Sequence, residues 1–175
     1  MEVEVKFRAE NLDEVEEKVK KMAEFVIEKI EKDIYFNSPW RDFRESDEAL
    51  RIRSDVEGIT LTYKGKKVDN ETKSREEIKV KVDSYEKAVL LLERLGFVPV
   101  REVVKRRKIY RMGNVLICLD SVEGLGDFVE IEIGADPSDF EAAKKKVLEI
   151  TEKLGFNLSQ SVRSSYLEML EAKGG

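Results

Sequence analysis

Apolar and charged residues alternate strictly along the first segment of the chain, Glu2–Arg8. Neighbouring side chains of a β-strand point to opposite faces, so this pattern predicts a strand with one apolar and one charged face. The apolar face consists of Val3, Val5 and Phe7, and the charged face consists of Glu2, Glu4, Lys6 and Arg8. The apolar face is suited to pack on a core, whereas the charged face is either solvated or part of a site.

The same alternation returns along the chain and predicts an α+β protein with eight strands. The predicted strands are Glu2–Arg8, Val26–Asn37, Ala49–Arg53, Ile59–Lys64, Arg75–Val82, Phe97–Arg111, Val115–Val122 and Asp127–Gly134. Helical spacing of apolar residues predicts four helices, which run from Asn11 or Asp13 to about Phe25, from Ser84 to about Leu95, from about Ser138 to Leu154, and from Ser159 through Leu170. Residues 41–48 are expected to form a loop or short helical turn. At this length we expect a single domain, residues 1–175.

The polar strand faces allow two interpretations. An antiparallel sheet can cover one face with helices and leave the other in water. Eight strands are also enough to close a barrel, and the polar faces would then line its interior. The abundance of arginine favours the second interpretation, because a guanidinium binds oxyanions through two parallel hydrogen bonds. The cations on these faces are Lys6, Arg8, Arg51, Arg53, Lys64, Arg75, Lys79, Lys81, Lys105 and Arg107.

Acidic residues form two close pairs at the ends of the predicted sheet, Glu2 with Glu4 and Glu130 with Glu132. Closing a barrel would bring the two pairs together, with Asp120 beside them. Carboxylate oxygens are the ligands of hard cations, so the group predicts a site for Mg²⁺ or Mn²⁺. The surrounding cations would complement a polyphosphate whose oxygens the metal bridges to the carboxylates.

Other chemistry-bearing residues have simpler interpretations. The loop lysines Lys66, Lys67 and Lys73 are expected to be solvated, and Cys118 is expected to be a buried structural thiol. The aromatic residues Tyr35, Phe36 and Trp40 are expected in the core or at its rim.

Composition excludes several classes of protein. The net charge of −5 argues against a general nucleic-acid binder. Charged residues make up 39% of the chain, but 41% hydrophobic residues with clear periodicity exclude a disordered chain. Many charges and few thermolabile side chains are typical of thermophilic proteins, which is our hypothesis for the source.

The chain has no histidine and one cysteine. These counts exclude a Ser-His-Asp triad, a cysteine-based zinc site and an internal disulfide. The first segment is a strand rather than a signal peptide, and no apolar run approaches the ~20 residues of a membrane span. We therefore expect a cytoplasmic protein that binds neither membrane nor nucleic acid.

A series of short motifs runs along the whole chain. The motifs are Glu2-x-Glu4-x-Lys6, Asp33-x-Tyr35-Phe36, Ala49-Leu50-Arg51-Ile52-Arg53, Leu61-Thr62-Tyr63-Lys64-Gly65, Arg75-x-Glu77, Lys105-x-Arg107, Asp120 before Glu123-Gly124-Leu125-Gly126, Phe128-Val129-Glu130-Ile131-Glu132 and Ser165-Tyr166-Leu167-Glu168. In this order they resemble the CYTH superfamily of triphosphate tunnel enzymes. The branch that the chain resembles most is the CyaB-type group of class IV adenylyl cyclases, especially its archaeal members.

The resemblance implies a closed eight-stranded antiparallel barrel with a polar lumen as the active site and helices packed outside. It implies that two Mg²⁺ or Mn²⁺ ions are bound by Glu2, Glu4, Asp120, Glu130 and Glu132. It implies that triphosphate is bound by Lys6, Arg51, Arg53, Lys64, Arg75, Lys105 and Arg107. The expected catalytic residues are Glu4, Lys6, Asp120 and Glu130, and Glu77 and Arg163 are further tunnel positions.

Three functions remain open at this point. A class IV cyclase would convert ATP to cyclic AMP and pyrophosphate, and a triphosphatase would hydrolyse the terminal phosphate of an inorganic or organic triphosphate. A non-catalytic protein would bind polyphosphate or nucleotide without turnover. In each case the partner is a nucleoside or inorganic triphosphate, and a homodimer is a further expectation.

Overall fold

The computed structural model describes residues 1–174. Its strands are β1 (Glu2–Arg8), β2 (Glu24–Asn37), β3 (Ala49–Asp55), β4 (Gly58–Lys67), β5 (Arg75–Val82), β6 (Val98–Met112), β7 (Val115–Val122) and β8 (Gly126–Gly134). Its helices are α1 (Leu12–Lys20), α2 (Phe43–Ser46), α3 (Tyr85–Arg94), α4 (Phe140–Lys153) and α5 (Tyr166–Gly174), with short 3-10 turns at Pro137–Asp139 and Leu158–Gln160.

The strands close into one antiparallel barrel. Their order around it is β1-β5-β4-β3-β2-β6-β7-β8, and each neighbouring pair is antiparallel. The predicted fold, a closed eight-stranded antiparallel barrel with helices outside, is thereby confirmed. Because alternate residues face inward, the charged strand faces line the lumen.

Two predicted helix boundaries are wrong. Helix α1 ends at Lys20 rather than near Phe25, because Phe25 belongs to β2, where it pairs with Tyr110 of β6 and meets its ring at 5.5 Å. The last helix begins at Tyr166 rather than Ser159. The residues before it form a 3-10 turn and an extended segment, which have a role in closing the barrel.

Helices cover the outward apolar faces of β1, β3, β7 and β8. Helices α1 and α4 pack on β1, β7 and β8, where Val19 and Val147 lie in one cluster with Val3, Val5 and Ile131. Helix α3 covers β3, with Leu92 against Ile52 and Phe36. Since the helices cover the outer apolar faces of these strands, their charged faces point into the lumen, whereas Ile78 and Val80 on the outer face of β5 are half exposed. No helix among residues 1–174 is both long and apolar enough to cross a membrane.

The barrel has one weak seam, between β1 and β5. Strand β1 pairs with β8 along its whole length but with β5 only where Glu2 faces Arg75. The remaining β1 edge is covered by two other segments. The N–H of Lys73 donates to the Glu4 carbonyl (2.9 Å), and the N–H of Val162 donates to the Lys6 carbonyl (2.7 Å). The seam therefore brings residues outside the strands to the edge of the lumen.

Helix α5 plugs part of the lumen with apolar side chains. Tyr166 and Leu170 pack on Val103, Val122 and Phe128, which share strand faces with Lys105, Asp120 and Glu130 and therefore point inward. The polar lumen is thus limited on one side by an apolar cluster.

Candidate functional site

The lumen holds a space of about 480 Å³, and nine of the predicted site residues line it. They are Glu2, Glu4, Arg51, Arg53, Lys64, Lys105, Arg107, Glu130 and Glu132. The other lining residues are Tyr35, Lys73, Lys79, Ser165 and Tyr166. Two further predicted residues, Lys6 and Asp120, are fully buried behind this lining.

Three of the predicted metal ligands form a compact triad. Glu2, Glu4 and Glu132 each offer one oxygen, and these oxygens all lie within 4.8 Å of one another. The strand register explains the proximity, because Glu4 lies directly opposite Glu132 across the β1–β8 pair. The two acidic pairs that lie far apart in the sequence are neighbours in the closed barrel.

Two carboxylates of the triad, Glu4 and Glu132, have no cationic partner within 4.0 Å among residues 1–174, whereas Lys64 lies 3.3 Å from Glu2. Burial and the nearby Glu130 raise the pKa of Glu4 to about 8, and burial and Glu2 raise the pKa of Glu132 well above its ordinary value. The Oε2 atom of Glu4 is buried without a hydrogen-bond partner among the described residues. A hard divalent cation would supply the missing charge and ligate the free oxygen, so these three residues fit Mg²⁺ or Mn²⁺.

Asp120 and Glu130 lie outside the triad and are held by Arg107. The Nε and Nη2 atoms of Arg107 donate to the two oxygens of Asp120 at 2.6 and 2.7 Å. Its Nη2 also donates to Glu130 Oε2 at 2.9 Å. The five predicted metal ligands are therefore divided into the triad, in which only Glu2 has a cation nearby (Lys64, 3.3 Å), and two carboxylates that Arg107 holds.

A second acidic pair in the lumen, Glu31 and Asp33, is absent from the predicted site. Asp33 accepts two hydrogen bonds from Arg53, at 2.7 and 2.9 Å. Lys105 lies 3.2 Å from both Glu31 and Asp33. The sequence does indicate this pair, because Glu31, Asp33 and Tyr35 occupy every second position of β2 and therefore point to the same face, which is the lumen. Three of the predicted phosphate-binding cations, Arg53, Lys105 and Arg107, are thus already paired with carboxylates.

Two lumen cations have no such partner. Arg51 and Lys73 are 5% and 6% exposed, and neither has a carboxylate oxygen within 4.0 Å among residues 1–174. The prediction that Lys73 is a solvated loop charge is wrong, because the backbone hydrogen bond to Glu4 pulls this loop into the seam. Lys67 is not free either, since it lies 2.7 Å from Asp47, whereas Lys66 is exposed.

Two predicted tunnel cations do not line the lumen. Arg75 donates from Nε to the Gly65 carbonyl at 2.6 Å and from Nη2 to the Asp47 carbonyl. Arg163 lies in the extended segment before α5, not on a helix, and donates to the carbonyls of Asp69 and Thr72. Arg163 thereby holds the loop beside the seam, and Arg75 connects β4 with the end of α2. Glu77 lies beside the lumen, 3.5 Å from Lys64.

A larger space of about 760 Å³ adjoins the lumen. The two share Tyr35, Lys64, Lys73 and Ser165 in their linings. The larger space is partly apolar, with Phe36, Phe43, Val100 and Leu167 among its lining residues, and Arg75 also lies on its wall. An anionic group bound by Arg51 and Lys73 in the lumen could therefore continue into an apolar part in the adjoining space.

Acid is expected to destabilise the barrel through Glu130. Burial opposes ionisation of Glu130, but Arg107 outweighs it and lowers the pKa of Glu130 to about 2, from an ordinary value of 4.5. A carboxyl whose pKa is lower in the folded state stabilises the fold above its ordinary pKa and loses that contribution as the pH falls. We expect the melting temperature to fall between pH 4.5 and about 2. Thermal unfolding across this range should show a smaller change for Glu130→Gln, and an equal change in both proteins would contradict the assignment.

The comparisons with known proteins agree with this geometry. The chain matches the CYTH domain over residues 1–166. It is 40% identical over 171 residues to the Methanocaldococcus jannaschii protein named "Putative adenylate cyclase MJ0240", covering 97% of this chain and 98% of that one. It is 31% identical over 147 residues to "Adenylate cyclase CyaB" of Aeromonas hydrophila, covering 81% and 72% of the two chains.

The solved structure of the PH1819 protein from Pyrococcus horikoshii has the same fold. It is 43% identical to this chain, the two cover 99% of each other, and the TM-score is 0.90. The predicted resemblance, based on motifs now found around one lumen, is confirmed by these matches over nearly the whole length. The chain therefore belongs to the CYTH family.

Proposed function

We propose that this protein is a metal-dependent enzyme that acts on a triphosphate, and that its reaction is the class IV adenylyl cyclase reaction, ATP to cyclic AMP and pyrophosphate. The observation that carries the proposal is the juxtaposition of unlike groups in one lumen. The carboxylate triad of Glu2, Glu4 and Glu132 shares that lumen with the unpaired cations Arg51 and Lys73. A metal–triphosphate complex needs both kinds of group.

The lumen residues have separate roles in this proposal. Arg51 and Lys73 bind phosphate oxygens first, since no carboxylate competes for them. Arg53, Lys105 and Arg107 add positive charge to the wall, but each is shared with a carboxylate of the protein. Glu2, Glu4 and Glu132 would hold a divalent ion, which when bound would supply Lewis acidity at the phosphate oxygens.

The bond changes of the cyclase reaction are confined to the substrate. The ribose 3′-oxygen forms a bond to the α-phosphorus, the bond from that phosphorus to the bridging oxygen breaks, and pyrophosphate leaves while the hydroxyl proton is lost. With no histidine in the chain, the protein contributes by positioning the phosphates and stabilising their charge.

The lining of the adjoining space favours a nucleoside triphosphate over inorganic triphosphate as the substrate. Its apolar residues Phe36, Phe43 and Leu167 would contribute nothing to binding a bare phosphate chain. A base and ribose would bury apolar surface there while their phosphates reach Lys73, which borders both spaces.

The deciding experiment is product analysis with ATP and, separately, with inorganic tripolyphosphate, each with Mg²⁺ and with Mn²⁺. Cyclic AMP and pyrophosphate from ATP support the cyclase. Free phosphate, with ADP from ATP or pyrophosphate from tripolyphosphate, would show that the protein is a triphosphatase and not a cyclase. Tight nucleotide binding without turnover under either metal indicates a non-catalytic binding protein.

Lys73→Met is expected to weaken triphosphate binding without destabilising the fold. The ammonium of Lys73 is buried without a carboxylate partner, so its removal breaks no ion pair and relieves a desolvation cost. We expect the KM for the triphosphate to rise about 10- to 100-fold, the range for a lost hydrogen bond to a charged group. The matched control is Lys66→Met, an exposed lysine near the end of β4, the strand that leads into this loop. Equal KM values for the two variants would show that Lys73 does not bind the triphosphate.

A further inference from the structure

The segment before α5 lies along the edge of β1 that faces β5 but has no strand partner beyond Glu2. The N–H of Val162 donates to the Lys6 carbonyl, and the Lys6 ammonium donates to the carbonyl of Ser164 at 3.0 Å. The two contacts fix this segment along the seam at the level of Lys6. They bring the next residues, Ser165 and Tyr166, to the lining of the lumen.

Tyr166 contacts two predicted catalytic residues at once. The ammonium of Lys6 lies 3.9 Å from the centre of its ring, and its hydroxyl donates to Asp120 Oδ2 at 2.6 Å. The ring is held from behind by Phe128, edge to face at 5.1 Å. Tyr166 is 6% exposed, so both interactions occur out of water, where they are strongest.

The two contacts have different consequences. Lys6 is fully buried and lies 3.8 Å from Glu130, too far for a hydrogen bond, so the ring face and Ser164 are its near neighbours. The Oδ2 atom of Asp120 accepts from both Arg107 Nη2 and the tyrosine hydroxyl, whereas Oδ1 accepts from Arg107 Nε. Loss of the ring would leave the ammonium with the Ser164 carbonyl alone as a near partner, whereas loss of the hydroxyl alone would remove one of the two hydrogen bonds to Asp120 Oδ2.

We infer that Tyr166 is a positioning residue of the lumen, which supports the Lys6 ammonium with its ring and orients the Asp120 carboxylate with its hydroxyl. This inference rests on the proposed function, because Lys6 and Asp120 matter only if the lumen acts on a triphosphate. It also assigns a role in the site to the C-terminal segment, which contributes no strand to the barrel.

Two substitutions separate the contacts. Tyr166→Phe keeps the ring and removes the hydroxyl, so kcat is expected to fall roughly 10- to 100-fold with little change in KM. Tyr166→Leu removes the ring as well and is expected to raise KM for the triphosphate about 10-fold in addition. If Tyr166 only fills the core, both substitutions would lower stability, but loss of the hydroxyl would not lower kcat and loss of the ring would not raise KM.

The matched control is Tyr110→Phe. Tyr110 is also buried, and its hydroxyl also donates to a carboxylate, Glu16 at 2.5 Å, but on the outside of the barrel. The inference is supported if Tyr166→Phe and Tyr110→Phe lose similar amounts in melting temperature, while kcat falls in Tyr166→Phe and is unchanged in Tyr110→Phe. A wild-type kcat in Tyr166→Phe, or an equal fall in kcat in both variants, would overturn it.

A stability cycle distinguishes failure of this inference from failure of the proposed function. If the wild-type protein turns over no triphosphate, the proposed function fails. The free energies of unfolding of Tyr166→Phe, Asp120→Asn and the double variant then still measure whether Tyr166 restrains Asp120. Non-additive losses support the positioning contact, and strictly additive losses reject it.

Discussion

Replacing Glu4 by glutamine is expected to abolish turnover and to leave the fold intact. Metal-ion catalysis contributes several kcal/mol of transition-state stabilisation, so removing one carboxylate of the triad should lower kcat by about 10³-fold or more. The fold should not suffer, because the pKa of Glu4 is raised to about 8. A carboxyl with a raised pKa costs stability as the pH rises from its ordinary value toward the folded one, and a neutral glutamine removes that cost.

The experiment compares Glu4→Gln with Glu76→Gln, an exposed glutamate of β5. We would measure turnover, Mn²⁺ affinity in the absence of substrate, and the melting temperature. Glu4→Gln should lose turnover and Mn²⁺ affinity and melt at the same or a higher temperature, with the difference largest at high pH. Wild-type Mn²⁺ affinity in this variant would refute the assignment of the metal to the triad.

Replacing Arg107 by methionine is expected to cause the largest loss of stability. The Arg107 side chain is buried and lies within 4.0 Å of Glu31, Asp120 and Glu130. Methionine would leave these carboxylates in the lumen without their shared cation. Breaking a buried ion pair on one side costs about 3–5 kcal/mol, because the remaining charge is desolvated and uncompensated.

The neighbouring Arg106 provides the control for this substitution. It lies on the same strand but points outward, with its side chain 60% exposed and 3.3 Å from Glu28. An exposed pair of this kind contributes about 0–1 kcal/mol. Chemical denaturation of Arg107→Met and Arg106→Met should therefore give clearly different free energies of unfolding. Similar values would mean that the lumen carboxylates do not depend on Arg107.

The barrel could be predicted from the sequence because its strands show a regular alternation of apolar and polar residues, with a period of two. Strict alternation, as in Val3, Val5 and Phe7 against Glu2 and Glu4, assigns each residue to a face without knowledge of the partner strand. Eight such strands with one polar face each favour closure. The proximity of the acidic residues of the triad could also be predicted, because closure makes the first and last strands neighbours.

The pairing of charges inside the lumen could not be predicted in the same way. Which carboxylate Arg107 contacts depends on the register of three strands, and register is not visible in the alternation of one strand. The sequence predicts Asp120 and Glu130 as metal ligands, but it does not show that Arg107 lies beside both of them. Lys73 and Tyr166 were missed because they lie outside the strands, and the backbone contacts that bring them inward have no sequence pattern.

The position of β1 in the barrel has a consequence during synthesis. This strand leaves the ribosome well before the segments that cover its edges, since Glu2 pairs with Gly134 and the Lys6 carbonyl accepts from Val162. A nascent strand without a neighbour exposes an edge that can pair with other chains. Alternating charges on such a strand protect it from aggregation. Glu2, Glu4 and Lys6 would thus keep the unfinished chain monomeric before they become part of the closed lumen.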